Sequence, residues 1–193
     1  LLAFASNWEP FPYIETGPEV IEAPSPEGLE FYTKYTTTSG VIIVAGPDVP
    51  DEAILAGRRS LEYQLSARPD FHEILKDNLV RVSLFGPDGD SSVLPEYKDH
   101  GEIGGFAMMS TDVSMTANAG WFCYEGNRDD SGDPLIHEMA HTLNHIVFES
   151  INEIYFYENI YKLAEESIEN GDWEEGAKAI AEGVPLGDMI GEF

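Results

Sequence analysis

Apolar residues along this chain first gather into a strand. Val41-Ile42-Ile43-Val44-Ala45 is continuous, mostly β-branched and closed by Gly46-Pro47, the pattern of a strand buried on both faces. Residues 51–67 then carry Ile54, Leu55, Leu61 and Leu65 at helical spacing and stop at Pro69; residues 71–75 add a short helix. Over residues 79–85 the pattern alternates. Val80, Val82 and Leu84 form one apolar face against Leu79, Arg81, Ser83 and Phe85, so this run also predicts a strand. Gly86-Pro87-Asp88-Gly89-Asp90 supplies the turn after it. Two further strands are expected at 105–110 and 121–124, set between glycine-rich turns.

The remainder predicts helices: 134–149, then 151–169 with Ile154, Tyr157, Ile160, Tyr161 and Ala164 on one face, then 172–182 around Trp173. Residues 1–40 are different in kind. Pro10, Pro12, Pro18, Pro24 and Pro26 interrupt any regular element, and the stretch is expected as an extended arm over the surface. The order strand, helix, strands, helices implies an α+β domain over 41–193, in which a helix packs under a twisted sheet.

Composition narrows the class. At 193 residues with 42% hydrophobic content, the chain suits one domain with a substantial core, or one domain plus a small lobe, and no apolar run is long enough for a membrane span. The 36 acidic residues against 10 basic ones give a net charge of −26 and a pI near 4.2, which excludes nucleic acid as a partner. That charge fits solubility in a salty or extracellular medium. Leu1-Leu2-Ala3-Phe4-Ala5 fits the tail of a secretory leader and an ordinary first strand equally, and the localisation expected is secreted or extracellular. Cys123 is alone, so it forms no internal disulfide; it is expected in a buried strand as a small apolar residue.

One segment carries chemistry: His137-Glu138-Met139-Ala140-His141. Residues four apart on a helix lie one turn apart on the same face, so the two imidazoles can address a single Zn²⁺ ion, while Glu138 stands to one side as a general base for water. Asp133-Pro134 supplies an N-cap and a first-turn proline directly before the motif. Leu135, Ile136, Met139, Ala140, Leu143, Ile146, Val147 and Phe148 surround it with apolar residues, so a largely buried helix is expected. His145 lies roughly 12 Å of helix rise from His137, too far to share an ion, and is expected to pack. Asn144 and Val147 occupy the places where a metzincin has its helix-breaking Gly and third His, so that extension is absent. A catalytic zinc takes three protein ligands, and the third must come from downstream. Spacing leaves Glu149, Glu153, Glu158, Glu165, Glu166, Glu169, Glu174, Glu175, Glu182 and Glu192 open. The acidic loops 88–90 and 127–133 lack the full EF-hand spacing and are expected to be solvated turns.

The chain resembles the zinc peptidases similar to the catalytic domain of anthrax toxin lethal factor. The resemblance runs from Val41 to the C-terminus. It rests on Val41–Ala45 followed by a helix with Ala56-Gly57-Arg58-Arg59 ending near Arg68-Pro69, on Gly104-Gly105, on Phe122-Cys123-Tyr124, and above all on the HExxH segment. It implies a gluzincin-like, zincin-type metalloprotease domain and a third ligand on a later helix, where a small residue precedes Glu and an aromatic follows. Gly191-Glu192-Phe193 matches that local pattern, so the resemblance implies Glu192 as ligand, with Ala181-Glu182-Gly183 next. The family's oxyanion Tyr has no counterpart, because Pro185 stands at about its place. The function expected is therefore zinc-dependent endopeptidase action on a peptide or protein substrate, held extended along an edge strand within 105–116. The alternatives are a catalytically degenerate zincin-like binding or toxin-accessory module, and a zinc hydrolase of non-peptide amides or esters.

Overall fold

The computed structural model describes residues 10–89, 91–96, 107–108, 114–127, 133–148, 150–151 and 154–186. The chain divides into two compact units, Leu1–Thr142 and Leu143–Phe193, a division that falls inside the 41–193 span read as one domain. Among the described residues the architecture is mixed α and β, with all strands in the first unit.

Six strands among the described residues form one sheet in the order β1-β2-β3-β4-β6-β5. They are β1 (Ile21–Glu22), β2 (Lys34–Thr38), β3 (Val41–Ala45), β4 (Arg81–Phe85), β5 (Ala107–Met108) and β6 (Ser114–Asn118). β3, β4 and β6 run parallel, whereas β1 with β2, β2 with β3, and β5 with β6 are antiparallel pairs. The β2–β3 hairpin turns on two residues, Ser39 at φ 50° and Gly40 at φ 82°. Two consecutive left-handed residues match the right-handed twist of the flanking strands, and the Thr38↔Val41 pair closes the turn.

Residues paired across the ladder share a face. One face carries Tyr35, Ile42, Val44 and Phe85, buried in a cluster with Phe11, Leu29, Tyr32 and Leu94. The other carries Ile43, Val82, Leu84 and Met115, all 0% exposed, on the side taken by two helices. These are α1 (Asp51–Leu65), against β2 and β3, and α3 (Pro134–Thr142), against α1, β6 and β5; the short α2 (Phe71–Asp77) lies against β3. Parallel strands need such crossovers, and α1 with α2 supplies the one between β3 and β4.

Residues 1–40 depart from the expected arm, since β1 and β2 both come from this stretch. Every proline that suggested an arm lies at or before position 26, whereas Tyr35-Thr36-Thr37-Thr38 has the β-branched character that suits a sheet. The earlier part does run as a strap. The Tyr35 hydroxyl donates to Pro12 O at 2.7 Å, Thr37 Oγ1 donates to Ile14 O at 2.8 Å, and Arg58 donates to the Thr37 carbonyl at 2.6 Å and to that of Gly17.

Residues 121–124 are not a strand. The chain leaves β6 through a 3₁₀ turn, Ala119–Trp121, and Cys123 is exposed rather than buried. Glycine and asparagine set this geometry, as described below. The helix expected over 134–149 is α-helical only through Thr142, the last residue of the first unit, and Leu143–Phe148, which holds His145, is a π-helical turn. α4 (Ile154–Asn170) and α5 (Glu174–Ala181) follow close to the expected spans. Ala164 is buried, but Tyr161, expected on the same apolar face, is 39% exposed. No helix among the described residues is long and apolar enough to cross a membrane.

Candidate metal centre

The helix that carries the histidines is fixed by what precedes it. At the end of β6, Asn118 Oδ1 accepts the Gly120 N–H at 2.7 Å and its amide reaches Pro87 O at 3.4 Å. Tyr124 and Asn127 exchange backbone hydrogen bonds of 3.0 Å, and the Asn127 side chain donates to the carbonyls of Gly120 at 2.7 Å and Phe122 at 2.9 Å. That loop drives Phe122 into the interior, where it is 2% exposed. Asp133 then caps α3 as the sequence implies: Oδ1 accepts the Leu135 N–H at 2.9 Å and the Asp133 carbonyl accepts that of Ile136 at 3.2 Å.

Along α3 the buried positions are Leu135, Glu138, Met139, His141 and Thr142. Ile136 is 59% exposed, and His137 and Ala140 are exposed as well, so the helix is buried along one side rather than all round. Apolar neighbours do not bury the helix all round as expected, because Ile136 faces outward.

His137 and His141 do converge. Their Nε2 atoms are 2.9 Å apart, with ring centroids 4.6 Å apart and planes at 79°. Two nitrogens bound to one tetrahedral Zn²⁺ at about 2.0–2.1 Å lie roughly 3.3 Å from each other, so the observed spacing is within a few tenths of an ångström of a shared ion's requirement. As neutral rings the same two atoms make an N–H···N hydrogen bond. Glu138, between them in sequence, is 1% exposed. Imidazole pairs are ordinary donors for zinc, so this pair fits the ion in donor type and spacing.

Among the described residues, no group of three or more His, Cys, Asp or Glu side chains is gathered in a metal-holding arrangement. Glu192, the residue implied as third ligand, lies outside the described residues. Glu182 directly follows α5; its N–H bonds Lys178 O at 3.0 Å and its side chain is exposed, ahead of Gly183 in the left-handed conformation that ends the helix. Of the acidic loops, Asp90 and residues 128–132 also lie outside the described residues.

Three residues that shape this unit have no part in the motif. Asn127 holds the loop, Gly57 lies where α1 meets α3, and Glu96 closes a buried polar node with Arg81 and Tyr32. For Gly57 a signal was present, a glycine inside a helical pattern. In the node, Tyr32 Oη donates to Glu96 Oε2 at 2.7 Å and Arg81 pairs with the other carboxylate oxygen. Burial, and then the Glu96 charge, hold the Tyr32 hydroxyl well above its usual pKa.

No family model matches the chain, and neither a curated protein nor a solved structure gives a match.

Proposed function

We propose that the chain is a zinc-dependent endopeptidase with a zincin-like first unit, in which His137 and His141 are two of the ion's ligands and Glu138 is the general base. The observation that carries the reading is the convergence of the two Nε2 atoms to 2.9 Å on a capped helix, with a buried carboxylate between them in sequence. Zinc, when bound, supplies a Lewis acid that polarises the scissile carbonyl and lowers the pKa of water. Glu138 takes the proton of the attacking water and passes it to the departing amine, and its burial limits competition from bulk solvent. Glu192 is the third ligand proposed by resemblance to the lethal-factor family, with Glu182 next. β5 lies at the end of the sheet beside α3, and its backbone offers a peptide substrate an edge on which to pair. The net charge of −26 fits a secreted or extracellular setting.

The test is Glu138→Gln. The variant is expected to retain one equivalent of zinc and to cleave a peptide library about 10²–10⁴-fold more slowly. Zinc-loaded Glu138→Gln that cleaves at the wild-type rate would remove Glu138 from its role. A second reading, a catalytically degenerate binding module, draws on Pro185 standing at about the place where the resembled family has its oxyanion Tyr. Metal analysis separates the two. A bound equivalent that is lost in His141→Ala supports the enzyme, and its absence from wild type supports the module.

A further inference from the structure

We propose that Gly57 is a positioning residue for the helix bearing His137 and His141, an inference that rests on reading that pair as a metal site. Gly57 lies in the interior of α1, where glycine is about four- to fivefold less favourable than alanine. A local preference of that size is given up only where something else requires the space. Here the requirement is contact between helices. A Cβ built on Gly57 would stand 3.3 Å from Leu135 Cδ1, 3.4 Å from Phe122 Cζ and 3.7 Å from Phe122 Cε2. The distance to Leu135 is tighter than ordinary packing and those to Phe122 are at ordinary contact, and Leu135 at 0% exposure and Phe122 at 2% have little room to retreat.

Of the two neighbours, Leu135 belongs to the helix that carries the candidate centre and Phe122 packs beside it. Leu135 is in the first turn of α3, two residues before His137, with its N–H held by the Asp133 cap. Phe122 is fixed from behind by the Asn127 side chain on its carbonyl at 2.9 Å. The bare Cα of Gly57 therefore acts as a notch that receives the start of α3. A helix two and a half turns long moves as a body, so displacing Leu135 by a few tenths of an ångström displaces His137, Glu138 and His141 with it. Gly57 acts on these three through Leu135 and Phe122.

Cobalt(II) binding to the full chain, read by its visible absorption and by titration, is the test. Gly57→Ala removes the glycine's unfavourable helix propensity, so a purely structural role predicts unchanged or higher stability with unchanged cobalt binding. The positioning role predicts a folded variant whose cobalt affinity falls about 10-fold with an altered spectrum, as for other residues that orient metal ligands. It also predicts recovery to within about twofold in Gly57→Ala/Leu135→Val, where a methylene is withdrawn from the contact. If Gly57→Ala fails to fold, Leu135→Ile replaces it, since moving the branch alters the same contact at equal volume. Wild-type affinity and spectrum in the folded variant, together with lost binding in His141→Ala, overturn the role of Gly57 and leave the metal site standing. No cobalt uptake by the wild-type chain overturns both.

Discussion

Glu96→Gln should destabilise the first unit out of proportion to the one atom it changes. The Arg81 and Glu96 side chains are 12% and 6% exposed, and the pair shares its node with the buried Tyr32 hydroxyl. Gln keeps the shape and still accepts from Tyr32, but it leaves the guanidinium of Arg81 in a desolvated site without its counter-charge. Breaking a buried ion pair from one side costs about 3–5 kcal/mol, and the retained Tyr32 bond places Glu96→Gln near the lower figure. Arg81→Met strands the carboxylate and belongs in the same range. The double variant leaves no unpaired charge, so its cost should match about one single change rather than the sum, a coupling on the order of 2–3 kcal/mol. Hydrogen exchange of the β4 amides at increasing urea measures opening of this unit separately from the helices after Thr142. An opening free energy within about 1 kcal/mol of wild type for Glu96→Gln, or additive single changes, would refute the argument that the two charges are buried together.

Alkaline pH should loosen the same unit. Burial raises the Tyr35 hydroxyl from 10.0 to about 12, and Tyr32 is shifted in the same direction. The folded state thus holds protons that the unfolded chain releases. The stabilisation is fully present below pH 10 and is lost between about pH 10 and pH 12, on the order of 1–2 kcal/mol for Tyr35 after allowance for solvent screening. Urea midpoints from pH 9 upward should fall less steeply in Tyr35→Phe than in wild type; parallel curves would remove Tyr35 as a source. Asp133→Ala should lower stability by about 1 kcal/mol through loss of the cap on Leu135 N–H, with Asp133→Asn or Asp133→Ser restoring most of it in the same melts.

Where the fold was legible, short-range pattern decided it. Val41–Ala45 reads as a buried strand and is one, because five apolar residues between turn signals leave no other economical placement. Asp133-Pro134 marks the start of α3 because a cap is local chemistry, complete within three residues. The hairpin before β3 was equally local but was hidden: Thr36-Thr37-Thr38-Ser39-Gly40 carries both the strand and its turn, and the prolines upstream drew the reading toward an arm. Trp121 to Tyr124 misled for the opposite reason. Its aromatic content suits a strand, yet the side chains of Asn118 and Asn127 compete for the backbone groups that a ladder would use. Spacing placed His137 and His141 together because a helix converts i, i+4 into proximity. No such rule reaches a ligand from a distant segment, and the approach of Gly57 to Leu135 joins residues 78 positions apart.

The order of the strands bears on how the chain comes to exist. β3, β4 and β6 stand side by side in the sheet and come in that order along the chain, with β5 between the last two, and every strand among the described residues is complete by Asn118, before α3 begins at Pro134. During synthesis the histidines therefore emerge last in their unit, onto a platform whose residues are already available to pair. A small zinc finger has no fold until its ion arrives; here the strands and the core cluster around Phe11, Tyr32 and Tyr35 are built from residues other than the proposed ligands. On the proposed reading, chelation should silence the centre while leaving the body of the unit intact, so that the protein can be emptied and refilled without being unfolded.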